Sequence, residues 1–368
     1  MGTIIRNKAI ILLLGIFSTT IAFSNGNEGF PKPEQLQKAI ERYQEIQKNG
    51  GWPKIKATKK FYQKGQTDPA VITLKQRLRV TGDYTSDDTT SVFTEELATA
   101  VKKVQLRFGF KENGVVDAQL IKELNIPVEA RLSQLEVNLY RLQSSPVTGT
   151  GTRLVANIPE FKLHVYEGDQ EAFSMNIVVG SESNKTVIFN DEMTHIVFSP
   201  YWNVPPSIVE NEILPAMRKN RSYLRRNGYE QTGTENGLPV IRQKPGPKNS
   251  LGLVKFVFPN NHNIYFHDTP AKSLFEVRKR TFSHGCIRLA EPRKLALYLL
   301  KNSSDWSPSS IDAAMTSGKE QWVKLQVPIA VSLTYYTAWA DGEGNVHFRE
   351  DVYGYDKNGG DRVAVASE

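Results

Sequence analysis

Residues 153–168, RLVANIPEFKLHVYEG, and residues 172–181, AFSMNIVVGS, alternate apolar with polar side chains and are rich in β-branched residues. This period of two, broken by a turn at Gly168 and Asp169, is typical of β-strands with one buried face. The same pattern continues in THIVFSPYWNVPP (194–206), LVKFVFPN (253–260) and NIYFHDTP (263–270). We therefore predict a β-rich domain, interrupted between residues 207 and 250 by a polar, Gly- and Pro-rich excursion with one helix-like piece.

The C-terminal part of the chain continues this domain. A helix is predicted over EPRKLALYLLKN (291–302), and strands are predicted in VPIAVSLTYYTAWA (327–340) and VHFREDVYG (346–354). The short glycine-containing turn DGEGN between these strands favours a hairpin.

Helical periodicity dominates before residue 151. Residues 32–50 repeat apolar side chains at helical spacing and end on a pair of glycines. Three short helices, two of them starting at the N-caps Thr94 and Asp117, are predicted between residues 70 and 125 and should form a small bundle. A further helix is expected over residues 129–143, followed by the linker SSPVTGTGT.

The N-terminus has the pattern of a secretory signal peptide. Arg6 and Lys8 precede a fifteen-residue apolar run, which small and polar residues follow. A membrane anchor is the alternative, but the run is shorter than the roughly 20 residues needed to span a bilayer. Cleavage is predicted near Ser24, and no later segment is long and apolar enough to span a membrane. We therefore expect an exported protein that is not an integral membrane protein.

Length and charge restrict the classes of partner. A chain of 368 residues suggests two or three domains. The net charge of +7, or +5 without Arg6 and Lys8, suits an acidic polymer as partner. No basic run with interleaved aromatic residues is present, so nucleic acid is not expected.

Cys286 is the only cysteine, and it lies in TFSHGCIRLAEP (281–292). A lone thiol in an oxidising compartment is either a reactive group or an intermolecular partner. A nucleophilic thiol needs a base, for which His267 at the end of a predicted strand is the candidate. The backbone N–H groups of Gly285 and Cys286 could stabilise an oxyanion, and Arg288 could hold an acidic substrate. A zinc site and a buried structural thiol are the alternatives; the zinc ligands would be His262, His267, His284 and Cys286.

His267, fifteen further residues and then SHGCIR (283–288) closely resemble the catalytic pattern of the L,D-transpeptidases, the YkuD-like cell-wall enzymes. The resemblance extends to the large Gram-negative branch of that family, and the helical unit resembles a peptidoglycan-binding domain. The supporting segments are VANIPEFKLHVYEG, VVGSESNKTVIF, SPYWNVPPSI, YFHDTPAKSLF and YYTAWADGEGNVHFREDVYGYD. The fold implied is α+β: a β-rich YkuD-like catalytic domain with an inserted lid-like segment, preceded by a small all-α three-helix peptidoglycan-binding domain.

The resemblance also implies roles for individual residues. Cys286 would be the nucleophile, His267 its proton donor and acceptor, and Gly285 the oxyanion donor. A backbone carbonyl near His267 would orient the imidazole, since the side chain of Asp268 should point away. The residues expected to bind substrate are Arg288, Ser283, His284, Tyr265 and Trp202. No metal and no cofactor are implied.

The activity implied is cross-linking of third residues in peptidoglycan stem peptides through a cysteine thioester. Stem peptides would be both donor and acceptor, and carbapenem-type compounds would inhibit. Transfer to water, as in an L,D-carboxypeptidase, and transfer to an outer-membrane lipoprotein remain alternatives, as does a non-catalytic peptidoglycan-binding protein. The expected location is the periplasm of a Gram-negative bacterium, in association with the cell wall.

The predicted boundaries follow from these segments. They are a signal peptide (1–24), an N-terminal helical segment (25–64), a peptidoglycan-binding-like domain (65–126), a helix and linker (127–150), a catalytic domain (151–356) with a lid (207–250), and a tail (357–368).

Overall fold

A computed structural model of the chain describes residues 31–144, 147 and 151–357. The predicted signal peptide lies outside these residues. Within them, no helix is both long and apolar enough to cross a membrane. The described part mixes helices and strands, and this confirms the predicted α+β class.

The helices of the described residues are α1 (Pro33–Lys48), α2 (Pro69–Val80), α3 (Glu95–Arg107), α4 (Ala118–Leu124), α5 (Val128–Ser144), α6 (Pro206–Ile208), α7 (Leu214–Lys219), α8 (Tyr223–Arg226), α9 (Pro292–Leu299) and α10 (Pro308–Thr316), with a π-helical turn over Val209–Ile213 and a 3₁₀ turn over Lys272–Phe275.

The strands are β1 (Phe61–Tyr62), β2 (Val116–Asp117), β3 (Thr152–Asn157), β4 (Lys162–Glu167), β5 (Gln170–Gly180), β6 (Phe189–Phe198), β7 (Trp202–Asn203), β8 (Tyr229–Glu235), β9 (Leu238–Gln243), β10 (Val254–Val257), β11 (Phe266–His267), β12 (Thr281–Ser283), β13 (Ile287–Leu289), β14 (Gln321–Thr334), β15 (Ala338–Ala340) and β16 (Val346–Phe348).

Nine strands form the central sheet, in the order β12-β5-β13-β11-β10-β6-β14-β3-β4. Because β4 also pairs with β5, the strand order closes on itself and leaves β12 as a side branch. One face of this curled sheet packs with α9 and α10 in a single apolar cluster. The alternation read from the sequence appears in β10, where Val254 and Phe256 are buried while Lys255 and Val257 are half-buried.

The helical half of the chain has a second core, and the C-terminal hairpin belongs to it. β15 and β16 pair as predicted around the turn at 341–345. Their buried side chains pack with α1 to α5: the Phe348 ring lies 5.4 Å from that of Phe108 and 6.0 Å from that of Tyr43. Thr94 and Asp117 cap α3 and α4 as predicted. The three predicted helices therefore share a core with the rest of the helical half and do not form a separate bundle.

The excursion predicted at 207–250 is a small folded unit. Its sheet, ordered β7-β9-β8, begins at Trp202, and its helix is interrupted by the π-helical turn. A separate apolar cluster holds it together. The β8–β9 hairpin was not predicted, because β8 is largely exposed and carries polar side chains on both faces.

Gly252 joins this unit to β10 and supports the residue after His267. Its φ of +62° lies in the left-handed region, and a Cβ atom there would come within 2.3 Å of the Asp268 carboxylate. That carboxylate accepts a hydrogen bond from the Leu253 N–H at 2.9 Å and contacts the Lys272 ammonium at 2.6 Å. Any side chain at position 252 must therefore displace Asp268.

We predict that Gly252→Ala lowers the free energy of unfolding by about 2–5 kcal/mol, of which roughly 1–2 is backbone strain and 1–3 is steric overlap. Gly82→Ala is the matched control, since Gly82 has a φ of +78° and no atom within 4 Å of a built Cβ. Urea unfolding of both variants measures the difference. Equal losses would show that the overlap with Asp268 is relieved without cost.

Candidate active site

The centre of the site is set by three neighbouring strands. His267 on β11 pairs with Lys255 on β10 and with Arg288 on β13. Tyr265 directly precedes β11 and Cys286 directly precedes β13, and the Ile287 N–H donates to the Tyr265 carbonyl at 3.2 Å. Because side chains alternate along extended chain, Tyr265 lies on the face of His267, and Cys286 on the face of Arg288. Register therefore makes Cys286 and His267 diagonal neighbours on one face of the sheet.

His267 is buried and held in one orientation. Its side chain is 5% exposed, and its Nδ1–H donates to the backbone carbonyl of Asp268 at 2.5 Å. The Nε2 atom is then the nitrogen left free to accept a proton. Burial lowers the pKa of His267 to about 3, and the Arg288 charge contributes in the same direction. The imidazole is therefore neutral at physiological pH. The Asp268 carboxylate points away from the imidazole, as expected, towards the Leu253 N–H and the Lys272 ammonium.

Cys286 is half-buried beside Tyr265. The backbone N–H and the hydroxyl of Tyr265 both donate towards its sulfur, and Sγ lies 3.5 Å from the Asn263 carbonyl. Burial raises the pKa of the Cys286 thiol, and the Tyr265 hydrogen bonds and the charges of Arg288 and Lys255 offset part of that rise. The resting site is thus a neutral thiol beside a neutral imidazole.

The loop before the thiol is shaped by two hydroxyl groups. Gly285 has a φ of +118°, which favours glycine, and its carbonyl accepts a hydrogen bond from the Thr186 hydroxyl at 2.7 Å. The Ser283 hydroxyl donates to the Cys286 carbonyl at 2.5 Å and accepts from the Gly285 N–H at 3.1 Å. Thr186, which is fully buried, was missed because its distance in sequence gave no sign of this contact.

This geometry changes the expectations for Ser283 and Gly285. Ser283 was expected to bind substrate, but it is 3% exposed and both of its hydrogen bonds stay within the loop. The Gly285 N–H, expected to stabilise an oxyanion, is occupied by the Ser283 oxygen. The N–H of Cys286 has no acceptor among the described residues and is the better donor for that purpose.

The inserted unit reaches the site at two points. The Trp202 indole N–H donates towards the Tyr265 hydroxyl. Burial raises the pKa of that hydroxyl well above its usual value. His284 Nε2 lies 2.9 Å from Glu212 Oε1, on the π-helical turn. His284 therefore faces the insertion, whereas Tyr265 lies next to the thiol and Trp202 contacts Tyr265.

Two cations border the site without an ion-pair partner among the described residues. Arg288 lies beside His267, and its buried Nε atom has no hydrogen-bond acceptor among the described residues. Lys255 lies on the other side of His267 and was not singled out from the sequence. The four residues of the zinc alternative do not gather: in the described part of the chain, no group of three or more His, Cys, Asp or Glu side chains could hold an ion.

Because Cys286 is the only cysteine, its alkylation can be followed without interference. We predict that the rate constant with iodoacetamide rises only as the pH approaches and exceeds 9.0, the ordinary thiol pKa, because burial raises the pKa of Cys286. No step is expected near 6.5, because the pKa of His267 is lowered to about 3. A small free thiol serves as the control. A reactive plateau between pH 5 and 7 would instead show a thiolate–imidazolium pair.

Two family models match the chain. Residues 151–310 match YkuD, described as "L,D-transpeptidase catalytic domain", and residues 67–124 match a "Putative peptidoglycan binding domain". The site residues between Trp202 and Arg288 all fall inside the first match. The predicted recognition of a YkuD-like catalytic domain with a peptidoglycan-binding domain is confirmed.

Similar proteins carry the same description. A "Putative L,D-transpeptidase" from Haemophilus influenzae is 29% identical over 246 residues, which are 62% of this chain and 49% of that protein. This chain thus spans about half the length of that relative. A crystal structure of an L,D-transpeptidase from Xylanimonas cellulosilytica aligns with 76% of this chain and 100% of its own, at 15% identity and a TM-score of 0.25. L,D-transpeptidase 3 from Mycobacterium tuberculosis, in complex with a faropenem-derived adduct, aligns with 51% of this chain and 61% of its own, at 13% identity and a TM-score of 0.26.

Proposed function

From a chain that combines a YkuD L,D-transpeptidase catalytic domain with a peptidoglycan-binding domain, we propose an exported enzyme that cross-links peptidoglycan stem peptides through a thioester on Cys286. The observation that carries this proposal is the placement of the only thiol diagonally beside a neutral histidine whose Nδ1–H is engaged by a carbonyl. The periplasm of a Gram-negative bacterium, in association with the cell wall, is the proposed location.

Acylation begins when the Cys286 sulfur attacks the carbonyl carbon of the amide after the third residue of the donor stem. Nε2 of His267 takes the thiol proton as the S–C bond forms and gives it to the leaving amine as the C–N bond breaks. This transfer suits the resting site, since both groups are neutral and no charge must be desolvated beforehand. The products of the step are a thioester and the released C-terminal residue.

Charge develops on the carbonyl oxygen during the attack. The free N–H of Cys286 and the hydroxyl of Tyr265 are the donors that we propose for it. Trp202 holds Tyr265 in place, while Thr186 and Ser283 hold the loop. Gly285 contributes its left-handed backbone, which lets the chain turn towards the thiol.

Transfer completes the reaction. The side-chain amine of a second stem attacks the thioester, an N–C bond replaces the S–C bond, and the amine proton returns to sulfur through His267. Water as acceptor would give an L,D-carboxypeptidase, and a lipoprotein lysine would give attachment to the outer membrane. The domain at 67–124 would hold the polymer.

The decisive experiment combines the protein with a tetrapeptide donor and an amine-bearing acceptor, and follows the products by mass spectrometry. We expect a cross-linked product with the native chain and none with Cys286→Ala. Intact mass after exposure to a carbapenem should show one covalent adduct on the native chain only. An adduct that persists on Cys286→Ala would contradict the assignment of the nucleophile. If the donor peptide is transferred only to water and no cross-linked product forms, the result would favour the carboxypeptidase.

Arg288 is proposed to bind a carboxylate of the donor near the scissile amide. A charged hydrogen bond contributes about 1.5–3 kcal/mol, so Arg288→Ala should lower kcat/KM about ten- to a hundredfold. Arg288→Lys should restore only part of this, because an ammonium lacks the planar fork of the guanidinium. The comparison is made on a peptide acid and on its carboxamide. An equal loss on both would show that Arg288 does not bind that carboxylate.

A further inference from the structure

A single row of side chains crosses the sheet through His267. Registered pairs on adjacent strands point to the same face. Following them outward from the site, the row runs through Arg288, His267, Lys255, Val197 and Trp322. The residues on either side of this row in sequence, such as Phe266 and Ile287, belong to the apolar core on the opposite face.

Lys255 occupies this row as a half-buried cation without an ion pair. Among the described residues no carboxylate lies within 4.0 Å of its ammonium group. The Glu320 carboxylate interacts with the Lys255 charge only at longer range. The Glu320 oxygens instead accept hydrogen bonds from the Tyr201 N–H at 2.9 Å and from the Trp322 indole N–H at 3.1 Å. Removing a cation from water without an anionic partner is unfavourable, so this position is costly unless a ligand supplies the anion.

Two aromatic rings hold the ammonium group in place. It lies 5.1 Å from the centre of the Trp322 ring and 5.8 Å from that of Tyr265. Trp322 is 53% exposed, although Val197 beside it in the row is fully buried. The row therefore leads from the thiol region to an open aromatic surface, with a fixed positive charge between them.

We propose that Lys255, with Trp322 beside it, forms a second anion subsite. Arg288 binds a carboxylate on one side of the scissile amide, and Lys255 binds a carboxylate on the other side. The inference rests on the proposed function, which it deepens by naming the substrate class: a peptide with a carboxylate on each side of the amide. The two cations lie on opposite sides of His267 in one row, so a single carboxylate beside either of them would leave the other unpaired.

Binding tests this without turnover. In the full-length Cys286→Ala protein, calorimetry measures the affinity of a tetrapeptide with both carboxylates and of two analogues, each with one carboxylate replaced by a carboxamide. When Lys255→Met is introduced into this Cys286→Ala protein, the dissociation constant of the tetrapeptide with both carboxylates, the diacid, should rise about tenfold, as expected for a lost charged hydrogen bond. It should have no effect on the analogue that lacks the carboxylate which Lys255 binds. Arg288→Ala should likewise leave unchanged the dissociation constant of the other analogue, which lacks the carboxylate that Arg288 binds.

Controls separate this role from a structural one. Lys38→Met removes an exposed lysine from α1, outside the domain at 67–124, and should change no affinity. Lys255→Arg should keep most of the binding, and Trp322→Ala should weaken it. Because Lys255→Met removes an unpaired cation while it keeps the aliphatic stem, its urea midpoint should not fall.

The outcomes distinguish the two hypotheses. If Lys255→Met leaves all three affinities unchanged, or if both substitutions respond to the same carboxamide, the second subsite is wrong whatever the enzyme does. The subsite is equally wrong if the diacid does not bind at all. If binding follows the pattern above while the native chain forms no thioester, the subsite stands and the proposed function fails.

Discussion

The parallel pairing of β11 with β13 is the constraint on which the site depends. It places His267 beside Arg288 and makes Cys286 its diagonal neighbour, so two segments that are nineteen positions apart in sequence share one face. A slip of one residue would turn either the histidine or the thiol towards the apolar core. The core side chains Phe266 and Ile287 oppose such a slip, because each would lose its burial in the same event. Packing of the sheet and alignment of the reactive groups are therefore a single requirement.

The neutral resting state follows from how the site is covered. Burial holds the pKa of His267 down and that of Cys286 up, while the cations Arg288 and Lys255 partly favour the thiolate. The inserted unit takes part through Trp202, which contacts Tyr265, and through Glu212, which contacts His284. Any motion of that unit would change the surroundings of the thiol as well as access to it. Burial, more than a fixed ion pair, therefore determines the protonation states of His267 and Cys286.

Sequence patterns predicted the strands, the helix caps and the neighbouring positions of Cys286 and His267, because these follow from local periodicity or from one compact motif. Thr94 and Asp117 cap helices through contacts that span only three residues of sequence. Lys255 and Thr186 could not be found in that way. Lys255 matters through the register of β10 with β11, and Thr186 through a contact 99 positions away, so both depend on pairings that spacing does not determine. Ser283 was recognised as part of the motif and expected to bind substrate, but its hydroxyl is buried and bonds within the loop. Burial within a tight loop cannot be inferred from composition.

The same long-range packing joins the domain at 67–124 to the sheet that carries the candidate site. The hairpin β15–β16 follows the catalytic sheet in sequence but is buried among the helices. Thr337 exchanges hydrogen bonds with Asn138 on α5, and Arg349 donates to the Arg107 carbonyl on α3 and contacts the buried Glu160 beside the sheet. Deleting the helices of the domain at 67–124 would therefore expose a core that the C-terminal segment completes, and loss of activity in such a deletion would report unfolding. The proposed polymer binding and the proposed catalysis can be separated only by substitutions on the exposed surface of that domain, which leave the shared core intact.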